Sequence, residues 1–416
     1  MKLKKLIGIM AIAGIAAPGI ASATNGYFAE GYGIKTRGMG GAGIALPQDA
    51  MAAATNPAGM VMVGDRLDIG LTYFRPDRSV NLGSAWAPAG LDGEHTSDNK
   101  YFWIPELGYN HMISKDMAVG VVVYGNGGLN TNYNKPMFQL YNPGTGAPIG
   151  TASNASSDML QLFVAPTWAM KINENNAIGV SANLVYQQFS ISGLESFGAA
   201  GASSDSANLT GNGHDKSTGY GLKVGWTGKV AQNVTLGATY QTVTKMSKFD
   251  KYKGMLAEGG KMDIPSTYGL GIAVNVTPAF VIAADVARIN YTDVKSISNP
   301  SSNNLLGADN GPGFGWKDQT VYKVGASYKY SSDLTLRAGY NYAKAPFNSN
   351  QNYFNFVALA TTQSHLSLGA TWTLANKSEF SLMYMHAFDH GIYDSTTDST
   401  VRMKQDALGI SYGMKM

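Results

Sequence analysis

The sequence predicts an all-β protein: a transmembrane antiparallel β-barrel of about fourteen strands with an N-terminal plug in its lumen. Three observations carry this expectation. Segments of about ten residues alternate between an apolar, aromatic face and a face of Gly, Ser, Thr and Asn. Their connections alternate between short and long. Only 14% of the 416 residues are charged, against roughly 25% in soluble domains, and no run of about 18 apolar residues offers a membrane helix.

Lys2, Lys4 and Lys5, the apolar stretch 6–17 and Ala21-Ser22-Ala23 read as a signal peptide over 1–23. An N-terminal membrane anchor is the alternative, but the apolar stretch is short and broken by Gly and Pro. Those three lysines account for the excess of 31 basic over 28 acidic residues, so the exported chain is neutral and nothing points to nucleic acid. The absence of cysteine excludes disulfide scaffolds, thiolate metal sites and cysteine nucleophiles.

Residues 24–63 are Gly- and Ala-rich, with one helix-like piece at 48–54 bounded by Pro47 and Asn56-Pro57. They are long enough to form a plug; a periplasmic tail is the bland alternative. The inward strand positions favour the plug because they are so often Gly (70, 120, 179, 225, 237, 325, 339), which admits a closely packed segment. From 64 to 416 the alternation marks strands near 66–76, 100–113, 116–126, 158–173, 176–190, 215–230, 233–246, 264–276, 279–293, 316–330, 333–345, 363–374, 378–390 and 401–416. Leu408, Ile410 and Tyr412 against Gly409, Ser411 and Gly413 show the pattern. Short turns such as 114–116 and 331–333 oppose loops such as 127–157, so one rim is tight and the other elaborated.

Several motifs then carry a resemblance. GMGGAGIA and DAMAAATNPAGM near the N-terminus, AVGVVVYGNGGLNTNY, GWKDQTVYKVGASYKYSSDLTLRAGYNYAKAP and HLSLGATWTLANKSEFSLMYMHAF occur in an order that resembles the outer-membrane long-chain fatty acid transporter (FadL) family. That family includes importers of aromatic hydrocarbons. The chain departs from it in ending in Met416 rather than Phe, and in placing Tyr291 where Trp is common. The resemblance implies a barrel in the bacterial outer membrane, occluded by a hatch ending in Asn56-Pro57-Ala58. It also implies lateral exit of hydrophobic cargo at a kink in the third strand, Gly125-Asn126-Gly127-Gly128. On residues alone these four read as a strand end entering a loop. Asn56 and the backbone around Pro57-Ala58 are the groups expected to satisfy the backbone freed at the kink.

Phe74, Val122, Tyr124, Phe163, Val185, Val281, Met383 and Met385 share the inward parity and suit either an apolar guest or packing of the plug. Glu106, Asp285, Lys323 and Arg337 share that parity too, and are expected to form ion pairs between hatch and wall, with a substrate carboxylate the alternative. Leu194, Phe197, Phe249, Tyr252, Met255 and Leu256 are expected to form an extracellular capture surface beside Lys248, Lys251 and Lys253. His390 with Asp389 and Asp394 is the nearest approach to a catalytic group, and no P-loop, Rossmann or G-x-S-x-G motif occurs. The chain is therefore expected to be a transporter without cofactor or metal. Its expected partners are a hydrophobic small molecule and outer-membrane lipid, with the protein monomeric. A porin for polar solutes is the rival reading.

Overall fold

The computed structural model describes residues 24–303 and 305–416; the signal peptide expected over 1–23 lies outside them. Fourteen strands form the barrel: β1 (Arg66–Leu82), β2 (Phe102–Ser114), β3 (Met117–Asn132), β4 (Ser156–Lys171), β5 (Asn176–Ser192), β6 (Asp215–Ala231) and β7 (Val234–Gln241). They continue with β8 (Thr267–Thr277), β9 (Phe280–Ile289), β10 (Gln319–Lys329), β11 (Leu334–Ala343), β12 (Ser364–Thr373), β13 (Glu379–Asp394) and β14 (Ser399–Lys415). Each pairs antiparallel with its neighbours in sequence, and β1 pairs with β14 from Arg66↔Lys415 to Leu82↔Ser399. Closure pairs every strand with two neighbours, as lipid requires of a spanning sheet, save where the β2–β3 ladder ends at Glu106↔Tyr124. Two short strands, Gly93–Thr96 and Lys245–Met246, extend β1 and β6 above the rim.

The predicted strands are all present, with five ends moved by four residues or more; β3 runs on from the expected 126 to Asn132 and β13 from 390 to Asp394. β1 runs on to Leu82 because β14 is equally tall and keeps pairing with it. β7 stops at Gln241, since the Thr242 hydroxyl and amide cap Leu222 and end the ladder. β9 ends at Ile289, where Tyr291–Asp293 form a tight turn. The wall is therefore tall around β1, β3–β6, β13 and β14, and low from β7 to β12.

Alternation sorts side chains as its period of two demands. Leu222, Leu270, Val324, Leu368, Leu408 and Ile410 are exposed on the outer face, where lipid would cover them. The inner face is filled by residues 24–64, nearly all of them buried. This segment contains short helical turns at Ile34–Arg37, Ala52–Thr55 and Met60–Val63, none longer than four residues. Met416 bonds back to Asp65, so the barrel begins and ends on the rim with short turns, the periplasmic one.

Candidate functional site

The Asn56-Pro57-Ala58 motif is a docking element. Asn56 is extended (φ −143°, ψ 109°) after the 52–55 turn, and Pro57 opens a 3-10 turn over 57–59, a position that needs no backbone N–H. The Asn56 Oδ1 accepts from Ala58 N at 3.1 Å, while Nδ2 donates to Ile44 O at 2.8 Å and Trp226 O at 3.0 Å. Close approach to the wall is possible only because the facing residue of β6 is Gly225: a Cβ there would lie 1.9 Å from Asn56 Oδ1. The motif thus joins β6, not β3. The expectation that it satisfies the kink is corrected by this geometry.

The wall is interrupted at the kink. The β2–β3 ladder reaches its last pair at Glu106↔Tyr124. Beyond it, β2 continues to Phe102 bonded only to β1, and β3 continues to Asn132 bonded to β4. A bulge between Gly125 and Gly127 leaves Asn126 out of register, and residues 125–131 are buried on both faces. The edge of β3 that faces away from β4 is taken up by the N-terminal segment. Phe28 bridges Gly127, Ala29 N donates to Asn126 O at 3.0 Å, and Gly128 N donates to Tyr27 O at 3.1 Å. The Asn126 side chain accepts from Tyr32 Oη at 2.7 Å and donates to Gln161 at 2.9 Å. Tyr291 holds the same segment from the other side. Its hydroxyl accepts from Tyr27 N at 3.2 Å and donates to Asn25 O at 2.6 Å, and burial keeps this phenol well above its ordinary pKa.

Apolar groups flank the interruption. On one side Phe74, Met383 and Met385 pack with Ile34, Phe102 and Ile104. On the other, Val122, Tyr124, Phe163 and Val185 join a larger core with Tyr27 and Phe28; the Tyr124 and Phe163 rings stack at 5.3 Å. Val281 belongs to neither cluster. It is half-buried one residue from the Phe280 turn, opposite Asn275 and Ser327, so its inward parity places it at the periplasmic rim.

All four inward charges contact the segment, through its backbone and a glutamine rather than through the expected ion pairs. Glu106 accepts from Gly33 N and Ile34 N at 3.1 and 3.0 Å, and Asp285 from Gly43 N and Ile44 N at 2.8 and 3.1 Å. Lys323 donates to Gly41 O at 3.4 Å, and Arg337 to Gln48 Oε1 at 2.7 Å. Ion pairs form elsewhere. At the β13–β14–β1 seam, Lys35 meets Glu379 at 2.5 Å, Arg66 meets Asp68 at 2.6 Å and Glu379 at 2.9 Å, and Lys415 meets Glu379 at 3.1 Å; Ala50 N donates to Asp68 at 2.9 Å. Higher in the lumen Arg37 meets Glu30 at 2.6 Å. Burial opposes the charged Glu30, but the Arg37 guanidinium outweighs it and holds the carboxyl below its ordinary pKa. Lys223, which parity did not single out, donates to Ala54 O and lines a cavity of about 90 Å³ with Phe28, Ile44, Gln241 and Lys323.

The loop residues differ from the expected capture surface. Leu194, Phe249, Tyr252, Met255 and Leu256 are sealed inside the loop layer, with Phe249 and Tyr252 against the Phe189 ring. Interleaving of neighbouring loops buries them. Phe197 alone of the six edges a cleft, of about 390 Å³, with Leu306, Pro312, Tyr353 and Phe354. The sequence signal for the last two was the aromatic density of 353–356. His390 faces Gln363, Asp389 pairs with Arg402, and Asp394 caps Thr396 and Thr397, so these three side chains do not converge.

A closed barrel filled by its own N-terminal segment, with an interrupted wall, defines a plugged outer-membrane barrel. Residues 14–415 match the family described as outer membrane protein transport protein (OMPP1/FadL/TodX), and the chain belongs to that family. It is therefore an outer-membrane transport protein, in a family of transporters rather than enzymes. Solved structures share the fold. The Pseudomonas putida toluene transporter TodX is 23% identical, with a TM-score of 0.72 over 93% of this chain and 99% of that one. The Ralstonia pickettii toluene transporter TbuX is 18% identical, with a TM-score of 0.66 over 93% and 99%. A Pseudomonas aeruginosa FadL homologue is 15% identical, with a TM-score of 0.68 over 94% and 99%. A search of curated proteins finds no significant match.

Proposed function

We propose that this barrel imports hydrophobic compounds, long-chain fatty acids or related lipophilic molecules, and releases them sideways through the wall between β2 and β3. The toluene in the names of two structural relatives extends the range to aromatic hydrocarbons. Residues 24–63 act as the hatch. Cargo enters at the Phe197–Tyr353–Phe354 cleft and passes the apolar lumen groups. It leaves when Tyr27–Ala29 withdraw from the β3 edge. The carrying observation is that this edge is closed by hatch backbone rather than by a strand, between two apolar clusters. Direction follows from solvation: apolar surface favours a non-aqueous phase by about 25 cal/mol per Å², so exit into lipid is downhill and exit into periplasmic water is not. The closed strand circuit fits a monomer surrounded by outer-membrane lipid.

The test fills the gap from its β2 side. Ile104, nearly buried at the interruption, is replaced by Trp, and protein-dependent uptake of a fluorescent long-chain fatty acid is measured beside that of a small sugar. Fatty-acid uptake falls strongly while heat-modifiable migration stays normal, and sugar flux is negligible throughout. Full uptake through a gap shown to be filled refutes lateral exit. Porin-like sugar flux refutes the hydrophobic reading.

A further inference from the structure

The outer face of the barrel carries a charged patch that transport through the lumen does not use. On β14 and β1 the lipid-facing row Ile410, Leu408, Leu71 and Tyr73 ends abruptly in Arg75, Asp77, Asp406, Lys404 and Arg402. Asp77 lies between two ammonium groups, Lys404 at 3.6 Å and Lys100 at 3.9 Å. Asp389 is paired with Arg402, and Asp406 accepts from His386 at 2.8 Å and Tyr384 at 2.7 Å. Arg75 faces Asp406 across the ladder and forms no ion pair among the described residues. Four permanent cations thus meet three carboxylates; Arg75 is exposed, and Lys404 and Arg402 are about half exposed.

Height decides what this patch meets. Tyr73 and its ladder partner Trp103 lie directly beneath it with ring centroids 5.1 Å apart, and Tyr101 stacks on Tyr73 at 6.2 Å, as aromatic belts do at the headgroup boundary. From Leu67 to Arg75 the strand has climbed eight residues, which in a tilted strand is most of the hydrocarbon thickness. The cations therefore stand at the headgroups of the outer leaflet. Asp77 pairs with Lys404 and Asp406 with Arg75, so Arg75 and Lys404 are diagonal neighbours, about 7 Å apart in an antiparallel ladder. That spacing suits two donors converging on one phosphate, which guanidinium groups bind in bidentate fashion.

We infer that the β13–β14–β1 face binds a phosphorylated glycolipid of the outer leaflet, lipid A, with phosphate on Arg75, Lys404 and Arg402 and acyl chains along Leu71, Leu408 and Ile410. Charge complementarity identifies the occupant: a zwitterionic phospholipid offers no excess negative charge for the surplus cation, whereas a glycolipid phosphate does.

The experiment uses the full mature chain, purified in mild detergent and stripped of lipid, then titrated with diphosphoryl lipid A or phosphatidylethanolamine by native mass spectrometry. The wild type binds diphosphoryl lipid A at least tenfold more tightly than phosphatidylethanolamine. Arg75→Gln with Lys404→Gln lowers lipid A affinity at least tenfold, and Lys216→Gln with Lys245→Gln, which removes cations from a distant part of the rim, leaves it unchanged. Arg402→Gln with Lys100→Gln gives a second reading through the patch flanks if the first pair fails to fold. Equal affinity for the two lipids, or for the wild type and a folded patch variant, overturns the proposal.

Discussion

Gly127→Ala tests how the gap is closed. A Cβ at this position would lie 1.6 Å from Tyr27 O and 2.7 Å from its carbonyl carbon, both backbone atoms that no rotamer change can move. The substitution therefore does not straighten β3, as adding a side chain to a glycine-rich kink would suggest. It expels Tyr27–Ala29 from the strand edge. Two hydrogen bonds are lost, Ala29 N to Asn126 O and Gly128 N to Tyr27 O. At about 1 kcal/mol net each, and with overpacking adding about 1 kcal/mol or more, the attached state weakens by roughly 3 kcal/mol. Tenfold per 1.4 kcal/mol makes that a shift of about 100-fold toward the open edge. Amide exchange followed by mass spectrometry reads it directly: protection falls in peptides covering 24–32 and 125–132 and holds in the β9–β12 ladder. Uptake of the fatty-acid probe rises or becomes less dependent on loading. Unchanged protection of Ala29 and Gly128 in a folded Gly127→Ala barrel would refute the reasoning.

Three further outcomes follow from the same contacts. Deleting residues 24–55 leaves the ladders and lipid face intact and opens a conductive pore in planar bilayers, whereas an unchanged low conductance would deny the segment its role as a plug. Asn56→Ala strands Ile44 O and Trp226 O and uncaps Ala58, costing about 2 to 3 kcal/mol; limited proteolysis should then cut near Thr55 in a barrel that still migrates normally. Tyr291→Phe keeps the ring packing against Trp316 but removes the hydroxyl that bonds Tyr27 and Asn25, costing about 2 kcal/mol; exchange at the Tyr27 amide accelerates while β9 stays protected.

The barrel was legible because its physics is local. A period of two and alternating loop lengths mark every strand, and parity alone put Phe74, Tyr124, Met385, Glu106 and Arg337 on the inner face. Parity carries no height, which is why Val281 shares it yet sits at the rim. Nothing local marks Tyr27–Ala29 as the closing element, since they pair through backbone groups that nearly every residue carries. Asn56 was the more conspicuous candidate, but only the fold shows that its partner is Trp226 O on β6. The ladder end at Gln241 was missed because Thr242–Met246 read as strand, and Lys245–Met246 do pair, though with β6 alone. Leu194, Phe249 and Met255 read as exposed because a single loop's pattern cannot reveal that its neighbours cover it.

The charge cluster at the β1–β14 seam has a consequence for biogenesis. Glu379 opens β13, Lys415 ends β14, and Arg66 and Asp68 open β1; Lys415 reaches Glu379 within the last hairpin, but Arg66 meets Glu379 only when the first and last strands zip together. Lys35 and the Ala50 amide, both from the inner segment, complete the set. A barrel that zipped around nothing would bring the acidic side chains to the seam one cation and one donor short, and buried charge without compensation is costly. Final closure is therefore firmer around a filled cylinder than around an empty one. A chain whose residues 24–64 lag behind in the periplasm would still close through its backbone ladder, but its first and last strands would be held together less firmly at this rim until its contents arrived.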